Sequence, residues 1–170
     1  MPTGRQRFKE AYGKLRVQST ADYHDTPYRP LAMPIYPIVA VGGIAVVDGS
    51  LLLVKRGHPP QEGRWTIPGG KVKYGEQLTH AVEREIQEET SLKVNCGDLV
   101  GIAERIDEQN HFVILDFFVS LDISLSSIEG LPVPVPASDA ANAAWVPLGD
   151  LEDYSLTTGL LEFLSLHNII

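Results

Sequence analysis

The chain of 170 residues is poor in cysteine, tryptophan and methionine, with one, two and two copies. A single cysteine, Cys96, excludes an intrachain disulfide and is typical of proteins of the reducing cytoplasm. No apolar run reaches the length of a membrane span, because charged or turn residues interrupt each one. Residues 1–12 mix Arg, Lys and Glu without an apolar stretch, so no signal peptide is visible. The sequence therefore predicts a cytoplasmic protein that does not bind membranes.

Basic residues are also scarce. The chain has 14 Lys and Arg against 22 Asp and Glu, which gives a net charge of −8. Proteins that bind the nucleic-acid backbone need a basic surface, so this balance argues against a nucleic-acid partner. The length suits one domain with a full hydrophobic core.

Residues 1–35 fit this domain less well than the rest of the chain. Their end is stiffened by Pro27, Pro30 and Pro34 and carries several tyrosines. We therefore predict an N-terminal extension at 1–35 and a main domain at 36–170. The extension is either an arm that packs on the partner subunit of a homodimer or across the mouth of the main domain's site, or a mobile tail.

The remaining sequence alternates strand and helix patterns. Strands are predicted at 36–47 and 51–56, separated by Asp48-Gly49, which is typical of a hairpin turn. The further elements, in chain order, are a helix at 76–90, strands at 92–106 and 111–122, a proline-rich loop at 124–136, a strand at 144–147 and a helix at 156–166. Strands interleaved with helices predict an α/β fold in which a mixed sheet lies between helical layers.

The first predicted helix carries acids on the side that should be apolar. An apolar stripe begins at Leu78 and Val82, and one heptad later the same face continues with Glu85, Glu88 and Glu89. Acidic runs on helices are usually solvated faces. Partial burial of this cluster would require cations. Carboxylate ligands at this density suit Mg²⁺ or Mn²⁺.

A glycine-rich segment lies just upstream of this helix. Pro68 provides a rigid turn, and Gly69 and Gly70 allow the backbone to approach a ligand closely. Unpaired N–H groups near a helix N-terminus attract anions. A Pro-Gly-Gly sequence alone is usually only a turn. Before an acidic helix it predicts a loop that presents backbone groups to a metal ion and a phosphate.

Together these residues resemble the Nudix box, the signature of the Nudix hydrolase superfamily. The match consists of Gly70, five residues, Glu76, seven residues, and then the run from Arg84 to Leu92. Eight of nine restricted positions agree, and Ser91 stands where the family has glycine. Residues 54–60 and 145–148 are also similar to MutT-like members, especially the ADP-ribose pyrophosphatase-like ones. The resemblance implies an α/β/α sandwich.

The resemblance also implies roles for the residues of the box. Glu85, Glu88 and Glu89 would bind metal, and the carbonyl of Gly70 would join the metal shell. Arg84 would steady the glutamates by ion pairing, although helical geometry directs it away from Glu85 and toward Glu88.

Other residues would support the box. Glu76 would act as a structural partner or an outer contact of the metal. Asp139, in the loop before Trp145, would help bind metal or deprotonate water, or would be only a turn residue. Competing acids for that role are Glu104, Asp107 and Glu108. Residues expected to contact substrate are Arg56, Gly69, Gly70 and Tyr74.

The implied function is a Mg²⁺- or Mn²⁺-dependent hydrolase that cleaves the pyrophosphate linkage of a nucleoside diphosphate derivative. ADP-ribose is the leading substrate, although the proline that typically follows the box in that subgroup is absent from residues 106–110. One alternative is a (d)NTP pyrophosphohydrolase of the house-cleaning type. Alternatives of another class are a non-catalytic Nudix domain that senses nucleotides and a plain acidic interaction protein.

Overall fold

The computed structural model describes residues 36–107, 110–122 and 131–170. The predicted extension at 1–35, the candidate acid Glu108 and most of the predicted loop at 124–136 lie outside these ranges. The strands of the described part are β1 (Ile38–Ile44), β2 (Val46–Val47), β3 (Ser50–Arg56), β4 (Trp65–Thr66), β5 (Gly69–Lys71), β6 (Val94–Ile106), β7 (His111–Leu121) and β8 (Ala140–Pro147). Its helices are α1 (Leu78–Thr90), a 3-10 helix (Leu148–Asp153) and α2 (Leu160–Leu166).

The predicted α/β architecture is confirmed, but the strands form two sheets instead of one. The first sheet has the order β5-β1-β7-β6, in which β1 and β7 are parallel and the other pairs antiparallel. In the second sheet, β3 pairs with β8 along one edge and with β2 and β4 along the other. The chain passes from one sheet to the other at Ala45, whose carbonyl accepts the Leu52 N–H at 3.0 Å.

The hairpin predicted at Asp48-Gly49 is present between β2 and β3. Both residues have positive φ, 48° and 72°, and Val47 pairs with Ser50 across the turn. Positive φ at both central positions is the conformation that lets a two-residue turn follow the twist of its strands. The local sequence was therefore enough to place this turn.

Two apolar clusters form the core because side chains alternate between the faces of each strand. The first lies under α1 and contains Val41, Ala45, Leu52, Ala81, Val82, Ile86, Leu92, Val94, Phe117 and Val119. The second lies under α2 and contains Ile44, Leu51, Leu53, Ile67, Val146, Leu151, Leu160 and Leu164. Neither helix in the described ranges has the length and hydrophobicity of a membrane span.

Helix α1 keeps an apolar stripe to its last turn, contrary to the expectation that its core face becomes acidic. Val82, Ile86 and Thr90 are fully buried, and the Thr90 hydroxyl donates to the Ile86 carbonyl at 2.6 Å. Glu85 and Glu89 are partly buried beside this stripe. The core contact thus fixes the rotation of the helix and, with it, the direction of the two acids.

Two elements differ from prediction for local reasons. Helix α2 begins at Leu160 instead of residue 156, since Leu156 forms a bridge with Trp65 and Gly159 has a φ of 86°. Strand β8 begins at Ala140, four residues early, because the whole length of β3 is available for pairing.

Ser91, the position that departs from the Nudix box, is the residue that caps the C-terminus of α1. Ser91 has φ 61° and ψ 7°, the left-handed conformation, and its N–H donates to the Gln87 carbonyl. Its hydroxyl donates to the Val135 carbonyl at 3.3 Å. A side chain in this conformation is strained, whereas glycine is not.

Ser91→Gly should therefore stabilise the protein by about 1 kcal/mol, reduced by the loss of the hydroxyl contact. Thermal and urea denaturation would measure the change in the free energy of unfolding. Ser91→Ala is the matched control, because it removes the same hydroxyl but keeps the strain, and it should be less stable than Ser91→Gly. Equal stability of the two variants would contradict this explanation.

Candidate active site

Arg84 binds Glu76 with two parallel hydrogen bonds. Its Nε donates to Glu76 Oε1 at 2.7 Å and its Nη2 to Oε2 at 2.9 Å. The Lys73 N–H also donates to Glu76, at 2.9 Å. These donors, Arg84 first, lower the pKa of Glu76 to about 2. Glu76 therefore fixes the turn before α1 to the middle of the helix.

The same guanidinium also reaches two other acids. Arg84 Nη1 donates to Glu85 Oε1 at 2.6 Å and to Glu88 Oε2 at 3.2 Å, and Nη2 donates to the Lys71 carbonyl at 3.2 Å. The expectation that Arg84 points away from Glu85 was wrong, because its long side chain folds toward the loop and meets Glu85 there. Arg84 thus joins three carboxylates to β5.

Glu85 lies directly over Gly70. A Cβ on Gly70 would lie 2.5 and 2.6 Å from the two carboxylate oxygens of Glu85, closer than atoms can approach. Only glycine leaves room for this contact. The glycine predicted from the sequence to allow close approach therefore has that role toward an acid of the box.

Glu89 is the acid of the site whose pKa is raised. Its Oε2 accepts the Gly69 N–H at 2.9 Å. Burial raises its pKa to about 7; the Gly69 hydrogen bond and Arg56 oppose this rise, while Glu85 and Asp139 add to it. Glu89 therefore changes protonation near neutral pH.

Asp139 and Arg56 belong to the same site, since both act on the pKa of Glu89. The backbone holds them together, because the Gly57 N–H donates to the Asp139 carbonyl at 3.0 Å. The segment before Asp139 is fixed to α1, where the Ala137 N–H donates to the Glu89 carbonyl at 3.1 Å. Backbone hydrogen bonds therefore fix the segment that carries Asp139 to the helix that carries Glu89.

The donor set fits a divalent cation by its chemistry. Glu89 is buried beside the like charges of Glu85 and Asp139, and a cation would relieve that repulsion. In the described ranges, however, no three His, Cys, Asp or Glu side chains are arranged to hold a metal ion. Glu85 and Glu88 both accept hydrogen bonds from Arg84 Nη1.

The other predicted site residues have different surroundings. Tyr74 is fully exposed in the turn before α1, and its predicted contact with substrate stays a prediction. Glu104 contacts His111 across β6 and β7, with 3.1 Å between Oε1 and Nε2.

Sequence reasoning missed two residues, Arg105 and Asp116. Arg105 lies close enough to Arg56 for the two charges to interact, and burial together with Arg56 lowers its pKa. Asp116 is buried in the centre of β7. Alternation along β6 and β7 could have assigned both to one face, but only the pairing of the strands shows what they meet.

Arg84→Lys should lower the melting temperature by about 3 °C, because an ammonium group cannot reproduce the paired hydrogen bonds to Glu76. Arg64→Lys is the matched control, since the Arg64 guanidinium donates to a backbone carbonyl, that of Leu156, and to no carboxylate among the described residues. Differential scanning calorimetry would compare the two variants with the wild type. Equal melting temperatures for the wild type and Arg84→Lys would show that the Arg84 contacts are not needed for stability.

The sequence of the chain is similar to those of known Nudix proteins. The family model for the NUDIX domain matches residues 37–166. An ADP-ribose pyrophosphatase from Methanocaldococcus jannaschii is 37% identical over 89 residues, 52% of this chain and 53% of that protein. A putative 8-oxo-dGTP diphosphatase 2 from Mycobacterium tuberculosis is 42% identical over 67 residues, 37% of this chain and 48% of that protein. The chain thus spans about half the length of these relatives.

Solved structures show the same fold. A MutT NUDIX hydrolase from Burkholderia pseudomallei has a TM-score of 0.62 at 29% identity, covering 76% of this chain and 97% of its own. A bifunctional NMN adenylyltransferase/ADP ribose pyrophosphatase from Francisella tularensis, complexed with AMP and a Mn ion, has a TM-score of 0.68 at 20% identity, covering 79% and 42%. The chain belongs to the NUDIX family, and its resemblance to the MutT-like members is confirmed.

Proposed function

We propose that the protein hydrolyses the pyrophosphate linkage of a nucleoside diphosphate derivative, with ADP-ribose as the leading substrate. The observation that carries this proposal is the convergence of Glu85 and Glu89 on the Gly69–Gly70 backbone, with Asp139 close enough to Glu89 to raise its pKa. The similarity to an ADP-ribose pyrophosphatase supports the choice of substrate.

Glu85, Glu88, Glu89 and the Gly70 carbonyl would hold Mg²⁺ or Mn²⁺. Such an ion, when bound, neutralises the phosphate charge and makes water more acidic. Arg84 orients the carboxylates from behind through its contact with Glu76. Arg56 and Arg105 provide positive charge for the substrate phosphates.

Glu89, as a glutamate of the box, and Asp139, as the loop acid, are the two candidate acceptors of the proton from the attacking water. In this step the water oxygen forms a bond to phosphorus, the bond from phosphorus to the bridging oxygen breaks, and the proton passes to a carboxylate. The bridging oxygen leaves on the second phosphate. With ADP-ribose, the products are AMP and ribose 5-phosphate.

A second candidate activity is hydrolysis of a (d)NTP to a nucleoside monophosphate and pyrophosphate. The similarity to a putative 8-oxo-dGTP diphosphatase favours it. The third candidate, a nucleotide sensor without turnover, would keep nucleotide binding and lack products.

Product analysis would distinguish the three candidates. The protein is incubated with Mg²⁺ or Mn²⁺ and a panel of ADP-ribose, nucleotide sugars, dinucleotides and (d)NTPs in ¹⁸O-labelled water. Mass spectrometry then identifies the products and the phosphate that carries the label. AMP and ribose 5-phosphate from ADP-ribose are expected. Absence of cleavage for every compound with either metal would refute the proposal.

The cellular compartment and the oligomeric state are also proposed. We place the enzyme in the cytoplasm, on the strength of its one half-buried free cysteine. We further propose a homodimer in which residues 1–35 contact the partner subunit, which analytical ultracentrifugation of the full chain and of residues 36–170 would test.

A further inference from the structure

Two loops meet beside β4. The first loop, residues 57–64, joins β3 to β4, and the second loop, residues 154–159, joins the 3-10 helix to α2. Trp65, the first residue of β4, is bonded to the second loop on both sides of its peptide backbone. Its N–H donates to the Ser155 carbonyl at 2.8 Å, and its carbonyl accepts the Thr157 N–H at 2.8 Å. Backbone hydrogen bonds therefore fix the second loop to the end of the first.

Gln61 connects the same two loops through its side chain. Its Oε1 accepts the Thr158 N–H at 2.9 Å. The backbone of Gln61 has a φ of 60°, in the left-handed region, where a residue with a side chain is strained. Glycine would relieve this strain but would leave the Thr158 N–H without the acceptor. The contact with Thr158 therefore gives a physical reason for a glutamine at a position whose backbone favours glycine.

Two arginines are attached to the loops next to this contact. Arg105 lies on β6, the edge strand of the first sheet, and its Nη2 donates to the Thr158 carbonyl at 3.4 Å. Arg56 is the last residue of β3 in the second sheet, and its Nε donates to the Pro60 carbonyl at 2.9 Å. Thr158 accepts one arginine and donates to Gln61, and Pro60 directly precedes Gln61. The Gln61 contact thus lies between the anchors of two cations that come from different sheets.

The two guanidiniums are close enough for their charges to interact. Burial and then Arg56 lower the pKa of Arg105, and Asp107 opposes them without reversing the shift. Within the described ranges, the hydrogen bonds of both guanidiniums go to backbone carbonyls, which carry no net charge. Like charges held close together repel each other, and an anion that contacts both would relieve the repulsion. The pair is therefore suited to bind an anionic group.

This pair of cations lies beside the proposed hydrolytic site, since Arg56 also acts on the pKa of Glu89. We propose that Gln61 is a positioning residue for the substrate phosphates. By holding Thr158, it keeps Arg105 close enough to Arg56 for both to contact one phosphate group. Gln61 itself acts through the loop and does not contact the substrate. This inference rests on the proposed function.

Binding of inorganic pyrophosphate tests the inference without turnover. Isothermal titration calorimetry is carried out in EDTA, so that no metal ion on the acids of α1 contributes. The full-length proteins compared are the wild type, Gln61→Met, Arg105→Met and the double variant. Methionine has about the length of glutamine but lacks its strong acceptor. Gln87→Met is the matched control, because Gln87 is exposed on α1.

Gln61→Met should bind pyrophosphate about fivefold more weakly than the wild type, and Arg105→Met about tenfold or more weakly. The double variant should bind no more weakly than Arg105→Met, because Gln61 acts through Arg105 and the two effects are then not additive. Gln87→Met should bind as the wild type does. With the substrate identified from the panel, Gln61→Met should raise KM by a similar factor and leave kcat within about twofold.

Thermal melting confirms that each variant is folded, and Gln61→Ala removes the same acceptor if the methionine variant does not fold. Wild-type affinity in the Gln61 variant overturns the inference, as do effects that multiply in the double variant. Absence of pyrophosphate binding to the wild type also overturns it. Failure of the proposed function is seen separately, as absence of products from the substrate panel.

Discussion

Glu89→Gln should reduce kcat by at least about a hundredfold, and Glu85→Gln by a similar factor, because each removes a charge from the group that would hold the metal and accept the proton. Both variants should stay folded. At position 89, glutamine removes a buried charge and keeps an oxygen that can accept the Gly69 N–H. Steady-state kinetics on the substrate identified from the panel would measure the loss.

The control for this prediction is Glu83→Gln on the same helix. Glu83 accepts the Cys96 N–H at 2.9 Å, a contact that a glutamine oxygen can keep. Its kcat should equal that of the wild type. Added Mg²⁺ should raise the melting temperature of the wild type and of Glu83→Gln more than that of Glu89→Gln. Turnover at wild-type level in both Glu85→Gln and Glu89→Gln would remove the proposed site.

Asp116→Asn should change the pH dependence of stability by about 3 kcal/mol, the free energy that corresponds to a pKa of about 6 in place of 3.8. The folded pKa lies above the unfolded one, so the wild type loses stability as the pH rises from about 4 to about 6 and keeps that loss above it. Asparagine cannot ionise, so this loss disappears. The stability of Asp116→Asn relative to the wild type should therefore rise over this interval and then stay constant.

Urea denaturation at intervals from pH 4 to pH 8 would measure this difference. At any one pH, the difference in unfolding free energy between Asp116→Asn and the wild type includes the cost of burying an amide. The change of this difference with pH is therefore the informative quantity. A flat difference between Asp116→Asn and the wild type would mean that Asp116 ionises in the folded protein as easily as in the unfolded chain.

Local features were predicted well from the sequence. The Asp48-Gly49 turn, the end of α1 at Thr90 and the strand at 111–121 depend on turn residues and on periodicity within a few positions. Strand β5 was not predicted, because it is three residues long and rich in glycine. It forms because β1 offers Val41 and Gly42 as partners for Gly70 and Gly69.

In the candidate site, too, local features were predicted from the sequence and contacts between distant residues were not. The acids of α1 were found from their spacing, but the partner of Arg84 was not, since Glu76 lies in a turn whose direction periodicity does not describe. Asp116 was missed for a further reason. Its surroundings depend on the parallel pairing of β1 with β7, strands that are about seventy residues apart in sequence.

The hydrogen bonds from Val135 and Ala137 to the last turn of α1 also bear on how this protein can diverge. Both anchors lie after residue 130, so the separation of Asp139 from Glu89 does not depend on how many residues connect β7 to them. A change in the number of residues between positions 122 and 131 should therefore leave the two acids in register, because chain length between fixed points affects stability only weakly.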